Sequence, residues 1–360
     1  APPPPPGFKL RPLRKLAGHS GHVMSLAVHH EFLISGATEG IKVWDARTWR
    51  CQRTLGGHHG AVLALATGAG GRLFSGSRDC TIKIWDTRRW ECLGTLIKHA
   101  DAVHAIVFTG PALVSASSDR TIVVWDARSW MVTRTLEGHL GGVKALAVLG
   151  AAAGRLLSGS FDRTIRIWGL HDGKPQQTLK GHSSGITALT VLNNSNRFAS
   201  GSNDDTVRIW EATKDQSWTC LVTLRGHSDT VWSITEAWGK LLSGSADKTI
   251  KVWNMESWEC EETVAAHERS VSKLFAFSHY VVSCSWDHSI CLWRTGVVTA
   301  SAAAAAAAAD DHDRPPHRHR HPRDGGNPHG VDPHSPSAAL GLGGGGGLEG
   351  RRLGAAHEAA

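Results

Sequence analysis

The 360-residue chain lacks the cysteine spacing of a zinc site or of a disulfide framework. Its seven cysteines are scattered and form no C-x-x-C pair; they are Cys51, Cys80, Cys92, Cys220, Cys260, Cys284 and Cys291. Structural zinc requires clustered thiolates, so we expect no metal site. An odd and scattered count, without a signal peptide, predicts reduced thiols in a cytoplasmic or nuclear protein.

Long apolar runs and blocks of like charge are lacking as well. No run approaches the roughly 20 residues that span a bilayer, so we expect no membrane partner. The net charge of +7 resides in the first 309 residues, because residues 310–360 contain six arginines and seven acidic residues. That positive charge is dispersed over many segments. It predicts a soluble basic surface and disfavours nucleic acid as a partner.

The signatures of catalysis and of cofactor binding are missing too. We find no phosphate-binding loop, no metal-ligand cluster and no nucleophile–base set that occurs only once. We therefore expect neither a cofactor nor an enzymatic activity in this chain.

Tryptophan, by contrast, is abundant, with 15 residues against a single tyrosine. Seven tryptophans each close an alternating apolar segment such as TIKIW and recur every 40 to 43 residues; they are Trp44, Trp85, Trp125, Trp168, Trp210, Trp253 and Trp293. A histidine precedes each of them; these are His19, His58, His99, His139, His182, His227 and His267. A fixed period of this length indicates an array of identical supersecondary units.

Each unit contains four segments with strand character. In the second unit they read AVLALAT, LFSGS, TIKIW and ECLGTL. Across the units, Gly, Asp and Asn stand at the turns. A four-stranded sheet cannot bury both of its faces alone, whereas seven sheets stacked around an axis can. The sequence therefore predicts an all-β, seven-bladed propeller.

These tandem units, over residues 8–293, resemble the WD-repeat family. The Trp-Asp dipeptide survives only at Trp44, Trp85 and Trp125, and the later units read Trp-Gly, Trp-Glu, Trp-Asn and Trp-Arg. Segments such as LFSGSRDCTIKIWD are most similar to the C-terminal propellers of RING/TRAF-type ubiquitin ligases, and also to F-box and myosin-heavy-chain-kinase propellers. The resemblance implies a protein-binding platform, with any catalytic domain lying upstream of this chain.

The last unit has no segment for a fourth strand after Trp293. Residues 8–16 precede Ala-Gly-His as CQRTL precedes Gly-Gly-His in the next unit, so we expect this N-terminal segment to complete the last blade. The predicted organisation is a Pro-rich leader at 1–7, a propeller at 8–299 and a disordered tail rich in Ala, His, Arg and Gly at 300–360.

Each unit also supplies a serine, a histidine, an acid and a tryptophan. Serine, histidine and acid could form an acyl-transfer triad, but a catalytic site occurs once and this set occurs seven times. The resemblance implies instead a buried hydrogen-bonded relay in every blade. The clearest examples are His58, Ser75, Asp79 and Trp85, and His227, Ser243, Asp247 and Trp253. The first unit is one residue short and carries Glu39, so we expect a looser turn there.

The remaining tryptophans fall into two groups. Five precede the last strand of a unit and are expected to cover the outer edges of blades, with a binding band as the alternative; they are Trp49, Trp90, Trp130, Trp218 and Trp258. The other three, Trp232, Trp238 and Trp286, follow no repeat rule. They therefore carry more information about function.

In WD-repeat proteins two positions per blade point to the rim of the central channel, and the resemblance implies that a set of unusual residues lies there. They are Arg78, His104, Lys144, Phe161, Trp232 and Trp286. Aromatic residues and arginine dominate binding hot spots, so we predict a protein or peptide partner with an apolar anchor and acidic flanks. The alternative is that some of these side chains only plug the channel.

We therefore predict a protein–protein interaction scaffold. The resemblance favours the substrate- or partner-binding propeller of a multidomain signalling or ubiquitin-ligase protein. The alternative is a nuclear or RNA-associated scaffold of the zinc-finger-plus-propeller type, which the basic charge and the HRHRH segment of the tail favour.

Overall fold

The computed structural model describes residues 9–150, 154–192, 196–215, 217–277 and 279–295. In these ranges the chain forms 28 strands in seven four-stranded antiparallel sheets, which confirms the all-β propeller. The predicted leader at 1–7, the tail at 300–360 and both predicted domain boundaries lie outside the described residues. Within those residues no helix has the length and apolarity that a membrane span requires.

The strands are numbered in chain order. They are β1 (Leu10–Leu16), β2 (Val23–His29), β3 (Phe32–Ala37), β4 (Gly40–Asp45), β5 (Cys51–Leu55), β6 (Val62–Gly68), β7 (Arg72–Ser77), β8 (Thr81–Asp86), β9 (Glu91–Ile97), β10 (Val103–Phe108), β11 (Ala112–Ser117), β12 (Ile122–Asp126), β13 (Val132–Leu136), β14 (Val143–Leu149), β15 (Arg155–Ser160), β16 (Thr164–Gly169), β17 (Pro175–Lys180), β18 (Ile186–Val191), β19 (Arg197–Ser202), β20 (Val207–Ala212), β21 (Trp218–Leu224), β22 (Val231–Ala237), β23 (Lys240–Ser245), β24 (Thr249–Asn254), β25 (Cys260–Ala265), β26 (Val271–Phe277), β27 (Tyr280–Ser285) and β28 (Ile290–Thr295).

Consecutive strands pair to form the blades. Blades 1 to 6 are β2–β5, β6–β9, β10–β13, β14–β17, β18–β21 and β22–β25, and blade 7 combines β26–β28 with β1. The first strand of each blade contacts the first strand of the next, and β26 contacts β2. The seven first strands therefore form a closed ring around a central channel.

The N-terminal strand completes blade 7, as expected from the sequence. β1 runs antiparallel to β28 from the pair Leu10↔Thr295 to the pair Leu16↔Ile290. Leu10 and Leu16 are buried, and the backbone N–H of Leu10 donates a hydrogen bond to the carboxylate of Glu262 in blade 6. The pairing removes the free edge that blade 7 would otherwise present.

The core lies between adjacent blades. The cluster between blades 1 and 2, for example, joins Ile34 and Ile41 to Val62, Leu73 and Trp85. Close approach of the sheets requires glycine at some positions: a Cβ on Gly76 would lie 2.7 Å from a methyl carbon of Val103 in the next blade.

Four of the five outer tryptophans share one backbone conformation and one role. Trp49, Trp90, Trp130 and Trp258 follow a tight turn with φ between 57° and 60°. Each contacts the preceding blade; Trp49 meets Tyr280, Trp90 meets Phe32, Trp130 meets Phe74 and Trp258 lies under Arg197. Packing between blades thus accounts for their recurrence.

The two remaining non-relay tryptophans away from the rim also pack inside the propeller. Trp218 contacts Phe198 of its own blade, with 5.0 Å between ring centroids. Trp238, which follows no repeat rule, packs against the cluster between blades 6 and 7. Its environment gives it a structural role.

Candidate partner-binding surface

The predicted relay residues of blade 2 form a continuous chain of hydrogen bonds. The Trp85 Nε1–H donates to Ser75 Oγ over 2.8 Å, Ser75 Oγ lies 2.7 Å from His58 Nε2, and His58 Nδ1 lies 2.8 Å from the Asp79 carboxylate. A carboxylate only accepts hydrogen bonds, so His58 carries its proton on Nδ1 and accepts from Ser75 at Nε2. Burial lowers the pKa of His58, which favours this neutral form.

The same chain occurs in all seven blades. The seven Trp Nε1–Ser Oγ distances are 2.8 to 2.9 Å. In blade 6 His227 lies 2.7 Å from both Ser243 and Asp247, and Trp253 donates to Ser243. The relay ties the turn before the third strand to the two middle strands of each blade.

The relay acids are held in the charged state. Burial raises the pKa of Asp79, but hydrogen bonds from Thr81, His58 and the backbone N–H of His59 outweigh it and lower the pKa to about 2. The pKa of Asp162 and of Asp247 is lowered in the same way, against the effect of burial, by the histidine and threonine of their own blades.

Blade 1 departs from the pattern at Glu39. Its carboxylate lies 2.5 Å from His19 Nδ1, yet the side chain is 27% exposed, against 12% for Asp79. Asp79 also binds the hydroxyl and backbone N–H of Thr81, whereas Gly40 takes the place of that threonine directly after Glu39 and offers no hydroxyl. The turn of blade 1 therefore lacks this side-chain contact.

The relay geometry also argues against hydrolysis. Ser75 is fully buried, and its hydroxyl oxygen already accepts from Trp85 and donates to His58. A substrate carbonyl cannot reach such an oxygen. Within the described ranges, moreover, no group of three or more His, Cys, Asp or Glu side chains could hold a metal ion.

One of the two rim positions in each blade coincides with a bulge at the start of the first strand. Pairing with the second strand skips one residue there; these residues are Met24, Leu63, His104, Lys144, Thr187, Trp232 and Ser272. A bulge residue leaves the ladder, and its side chain is re-aimed. These seven side chains therefore do not follow the alternating in-and-out direction of the other side chains in the strand.

The other rim position in each blade is the residue before the relay acid. A recurring backbone hydrogen bond holds it beside the bulge. The residue before each relay acid donates its N–H to the carbonyl two residues before the bulge. Arg78 donates to Ala61, Phe161 to Gly142 and Trp286 to Ser270. Each blade therefore offers two adjacent rim positions.

One group of rim residues, which we call the cationic half, comprises Arg78, His104, Lys144 and Phe161 of blades 2 to 4. Lys144 Nζ lies 2.7 Å from His104 Nε2, 3.0 Å from Ser118 Oγ and 4.5 Å from the centre of the Phe161 ring. Burial lowers the pKa of Lys144 to about 8, with Asp101 raising it and Arg78 lowering it further. A lysine over an aromatic face gains cation–π stabilisation.

His104 contributes no positive charge to the cationic half. Burial, then Lys144 and Arg78, lower its pKa to about 3. The neutral ring accepts a hydrogen bond from the Lys144 ammonium. The positive charge in this half therefore belongs to Lys144 and Arg78.

The other group, the aromatic half, comprises Trp232 and Trp286 of blades 6 and 7 with His22 of blade 1. The two indole centres are 6.0 Å apart, and the His22 ring stacks on Trp286 at 5.3 Å with an interplanar angle of 6°. His22 is absent from the sequence-based candidates. It stands where the other blades carry Ala, Gly, Thr or Ser, so departure from the repeat could have identified it.

The six predicted rim residues thus form two groups on different blades. Their rim positions in the sequence lead us to expect Arg78, His104 and Lys144 around all three aromatic residues, but the described contacts bring them to only one of the three. Phe161 alone stands with Lys144, whereas Trp232 and Trp286 stand with His22. Blade order decides this, because adjacent blades bring their rim positions together and distant blades do not.

The aromatic half also has unused hydrogen-bonding capacity. Counting partners in the described part of the chain, the buried Nε1–H groups of Trp232 and Trp286 have none; the same holds for the Nε1–H of the outer Trp218 and for the Oδ1 atom of Asn203 in blade 5. All seven relay tryptophans, in contrast, donate to a serine. Buried polar groups without partners are rare in proteins and require an explanation.

Comparison with known proteins gives one family and several partial relatives. The family described as WD domain, G-beta repeat matches residues 10–45, 49–86, 90–126, 130–169, 173–211, 218–254 and 258–294. Each match begins near the last strand of one blade and ends with the third strand of the next. The first match accordingly starts with β1, the strand that closes the ring.

The relatives match only short stretches. A "Probable cytosolic iron-sulfur protein assembly protein 1" of Pyricularia oryzae is 42% identical over 74 residues, 19% of this chain and 17% of that protein. A "p21-activated protein kinase-interacting protein 1-like" of Danio rerio is 36% identical over 86 residues, 23% and 22% of the two chains. The "F-box/WD repeat-containing protein sel-10" of Caenorhabditis elegans is 31% identical over 95 residues, 26% and 16%. The alignments thus span less than a quarter of each of these relatives.

Proposed function

Because the chain belongs to the WD-repeat family, a family of protein-interaction scaffolds, we propose that it binds a peptide segment of a partner protein across the rim of its central channel. The observation that carries this proposal is the contrast between the seven relay tryptophans and the two rim tryptophans. The relay tryptophans satisfy their N–H groups within the blade. Trp232 and Trp286 depart from the repeat and keep unpaired N–H groups beside the channel.

The two halves of the rim suggest the chemistry of the partner. The aromatic half offers indole and imidazole faces to an apolar or aromatic anchor, the kind of contact that dominates binding energy. The cationic half offers Lys144 and Arg78 to an acidic residue, which favours fast and oriented association. We therefore propose a peptide with an apolar anchor and an acidic residue on one side of it.

The likeness to the F-box/WD protein supports a finer proposal. We propose that the propeller recognises substrates or partners for a larger signalling or ubiquitin-ligase assembly, whose catalytic part is supplied by another domain or chain. The three relatives are named for iron–sulfur protein assembly, for interaction with a protein kinase and for an F-box. Because these functions differ, similarity by itself does not identify the partner of this chain. The cytosolic relatives support a cytoplasmic location.

The test is the recovery of partners by the purified chain from a cell extract. The wild type is compared with a Trp232→Ala/Trp286→Ala double variant and with Met131→Ala, which removes an exposed apolar side chain on the outer side of blade 3. Each purified variant is first melted to establish that it is folded.

We expect the double variant to lose the partners that the wild type and the Met131 variant retain. Binding of a recovered partner should weaken by about 2 kcal/mol or more, roughly thirtyfold in Kd. A folded double variant with the wild-type set of partners would overturn the proposal.

A further inference from the structure

The junction between blades 3 and 4 lacks a side chain that the other six junctions share. Besides its relay tryptophan, each of those six has one further tryptophan in its core or packed against it; in chain order these are Trp49, Trp90, Trp130, Trp218, Trp238 and Trp258. The core between blades 3 and 4 has Trp168 of the relay and no second tryptophan among the described residues. One junction of the ring is therefore filled differently from the rest.

Gly173 takes the place of the missing tryptophan. It stands five residues after Trp168, the spacing at which four other blades carry their outer tryptophan. The N–H of Gly173 donates to the carbonyl of Gly169 over 2.8 Å, and Trp90 in blade 2 donates to Asp86 in the same way. The φ of Gly173, 70°, lies in the same left-handed region as the 60° of Trp90. The turn of blade 4 thus has the backbone of the others and lacks the indole.

The residue that faces this position in blade 3 is small as well. At two other junctions the outer tryptophan contacts the first residue of the second strand in the preceding blade. Trp90 contacts Phe32 at the start of β3, and Tyr280 at the start of β27 receives an outer tryptophan likewise. The corresponding residue at the start of β11 is Ala112. Glycine and alanine therefore stand where these junctions have two aromatic rings.

A mainly apolar pocket lies between blades 3 and 4 at this place. Its volume is about 480 Å³, and its lining includes Phe108, Pro111, Ala112, Val148 and Leu170. Pockets of roughly 300–1,000 Å³ are of the size that holds small ligands. The rim positions stand at the start of each first strand, whereas Phe108 and Val148 stand at or near the ends of β10 and β14. The pocket is therefore separate from the rim.

Positive charge borders the pocket. Arg134 of β13 is exposed, and its guanidinium donates to the carbonyl of Leu170 in blade 4 over 3.1 Å. That acceptor is neutral, so the contact leaves the charge of Arg134 uncompensated. The acid of the same turn, Asp172, accepts from the backbone N–H of Lys174 over 3.1 Å. An acidic group on an incoming ligand would complement Arg134.

We propose that the pocket between blades 3 and 4 binds the indole of a tryptophan in a partner protein, and that an acidic residue next to that tryptophan faces Arg134. The other junctions indicate the occupant, because a tryptophan packs into each of the six. A tryptophan also buries a large apolar surface with few rotatable bonds. This second surface does not rest on the proposed function of the rim.

The test compares two variants that each introduce a tryptophan. Gly173→Trp supplies the missing indole; its Cβ would approach Leu136 to 3.0 Å and Arg134 to 3.2 Å, in both cases at atoms of flexible side chains. Gly70→Trp is the control, because Gly70 has a φ of 72° and a Cβ there meets nothing within 4 Å. Each variant is first melted, and binding of the capped peptide Glu-Trp-Glu is then titrated by ligand-observed NMR.

A second variant, Ala112→Phe, narrows the pocket from the side of blade 3 and carries the test if Gly173→Trp does not fold. We expect the Kd of the peptide to rise roughly tenfold or more in both pocket variants and to stay at the wild-type value in the Gly70 variant. Equal affinities of the wild type and the folded pocket variants, or a wild type that does not bind the peptide, would overturn the proposal.

The acidic neighbour is tested with Arg134→Gln and with the neutral peptide Gly-Trp-Gly. We expect this variant to bind Glu-Trp-Glu more weakly than the wild type does and to bind Gly-Trp-Gly equally well. Unchanged affinity for Glu-Trp-Glu would refute the role of Arg134. None of these variants alters Trp232 or Trp286, so failure here is distinguishable from failure of the rim proposal.

Discussion

The seven relay tryptophans and the two rim tryptophans differ in whether the indole N–H has a hydrogen-bond acceptor. Each relay indole donates to a serine whose hydroxyl engages a histidine, which in turn engages an acid. Trp232 and Trp286 contact one another across two blades and have no hydrogen-bond acceptor among the described residues. The repeated residues link the strands of each blade, whereas the unrepeated ones lie at the rim of the channel. Substitutions in the two regions should therefore separate stability from binding.

The largest expected effect concerns the closure of the ring by β1. Deleting residues 8–16 removes β1 and exposes the edge of β28. Loss of buried Leu10 and Leu16 alone should cost about 3 kcal/mol or more of unfolding free energy. Thermal unfolding followed by circular dichroism measures the loss. An unchanged transition would contradict the closure by β1.

Removal of a relay acid comes next. Asp162→Ala and Asp247→Ala should each cost about 1–3 kcal/mol, because a buried histidine loses its acceptor. Denaturant unfolding gives the values, with Asp215→Ala on an exposed turn as the control. Variants of full stability that lost a specific activity would instead point to chemistry in the relay.

Acidification should weaken the relay without a mutation. The folded-state pKa of Asp79, about 2, lies below the unfolded value of 3.8, so its contribution is present above pH 4 and is lost as the pH falls toward 2. The shift corresponds to roughly 2 kcal/mol for this one group. Unfolding of wild type and Asp79→Asn should therefore differ at pH 7 and converge near pH 2. A constant difference would refute the assignment.

A matched pair of conservative substitutions compares the two kinds of tryptophan directly. Trp85→Phe removes a donor that Ser75 uses and should cost about 1 kcal/mol beyond the loss of packing. Trp286→Phe removes a donor without a partner and should leave stability nearly unchanged. Urea unfolding measures both variants. A greater loss at Trp286 than at Trp85 would reverse the distinction between relay and rim.

The smallest effect is expected for charge at the rim. Lys144→Glu should slow association with an acidic partner peptide at low salt, and the difference from wild type should shrink as salt screens the charges. Stopped-flow measurements on a partner recovered with the wild type supply the rates. Lys214→Glu is the control for net charge. Equal rates for both variants would exclude steering by Lys144.

The sequence predicted more of the interior than of the rim. The relay tetrads follow from the resemblance to the WD-repeat family and the closing strand follows from a local pattern, so their residues could be named in advance. The rim positions could be named too, but the sequence did not show which rim residues contact one another. The contacts of Phe161 and Trp286 depend on the blades beside them. His22 was missed although it breaks the repeat, because it lies outside the two rim positions of its blade.

Seven blades and their four strands were determined by the sequence itself, because a unit of about 40 residues with four strand segments occurs seven times and each sheet must cover its faces with its neighbours. The relay was what the resemblance to the WD-repeat family implied. Ring closure decided the rest. It brought β26 against β2, although these strands are about 250 residues apart, and so placed Trp286 on His22. It also enclosed His104 between its own blade and Lys144 of the next one. The charge of a side chain depends on that enclosure, which no local pattern contains.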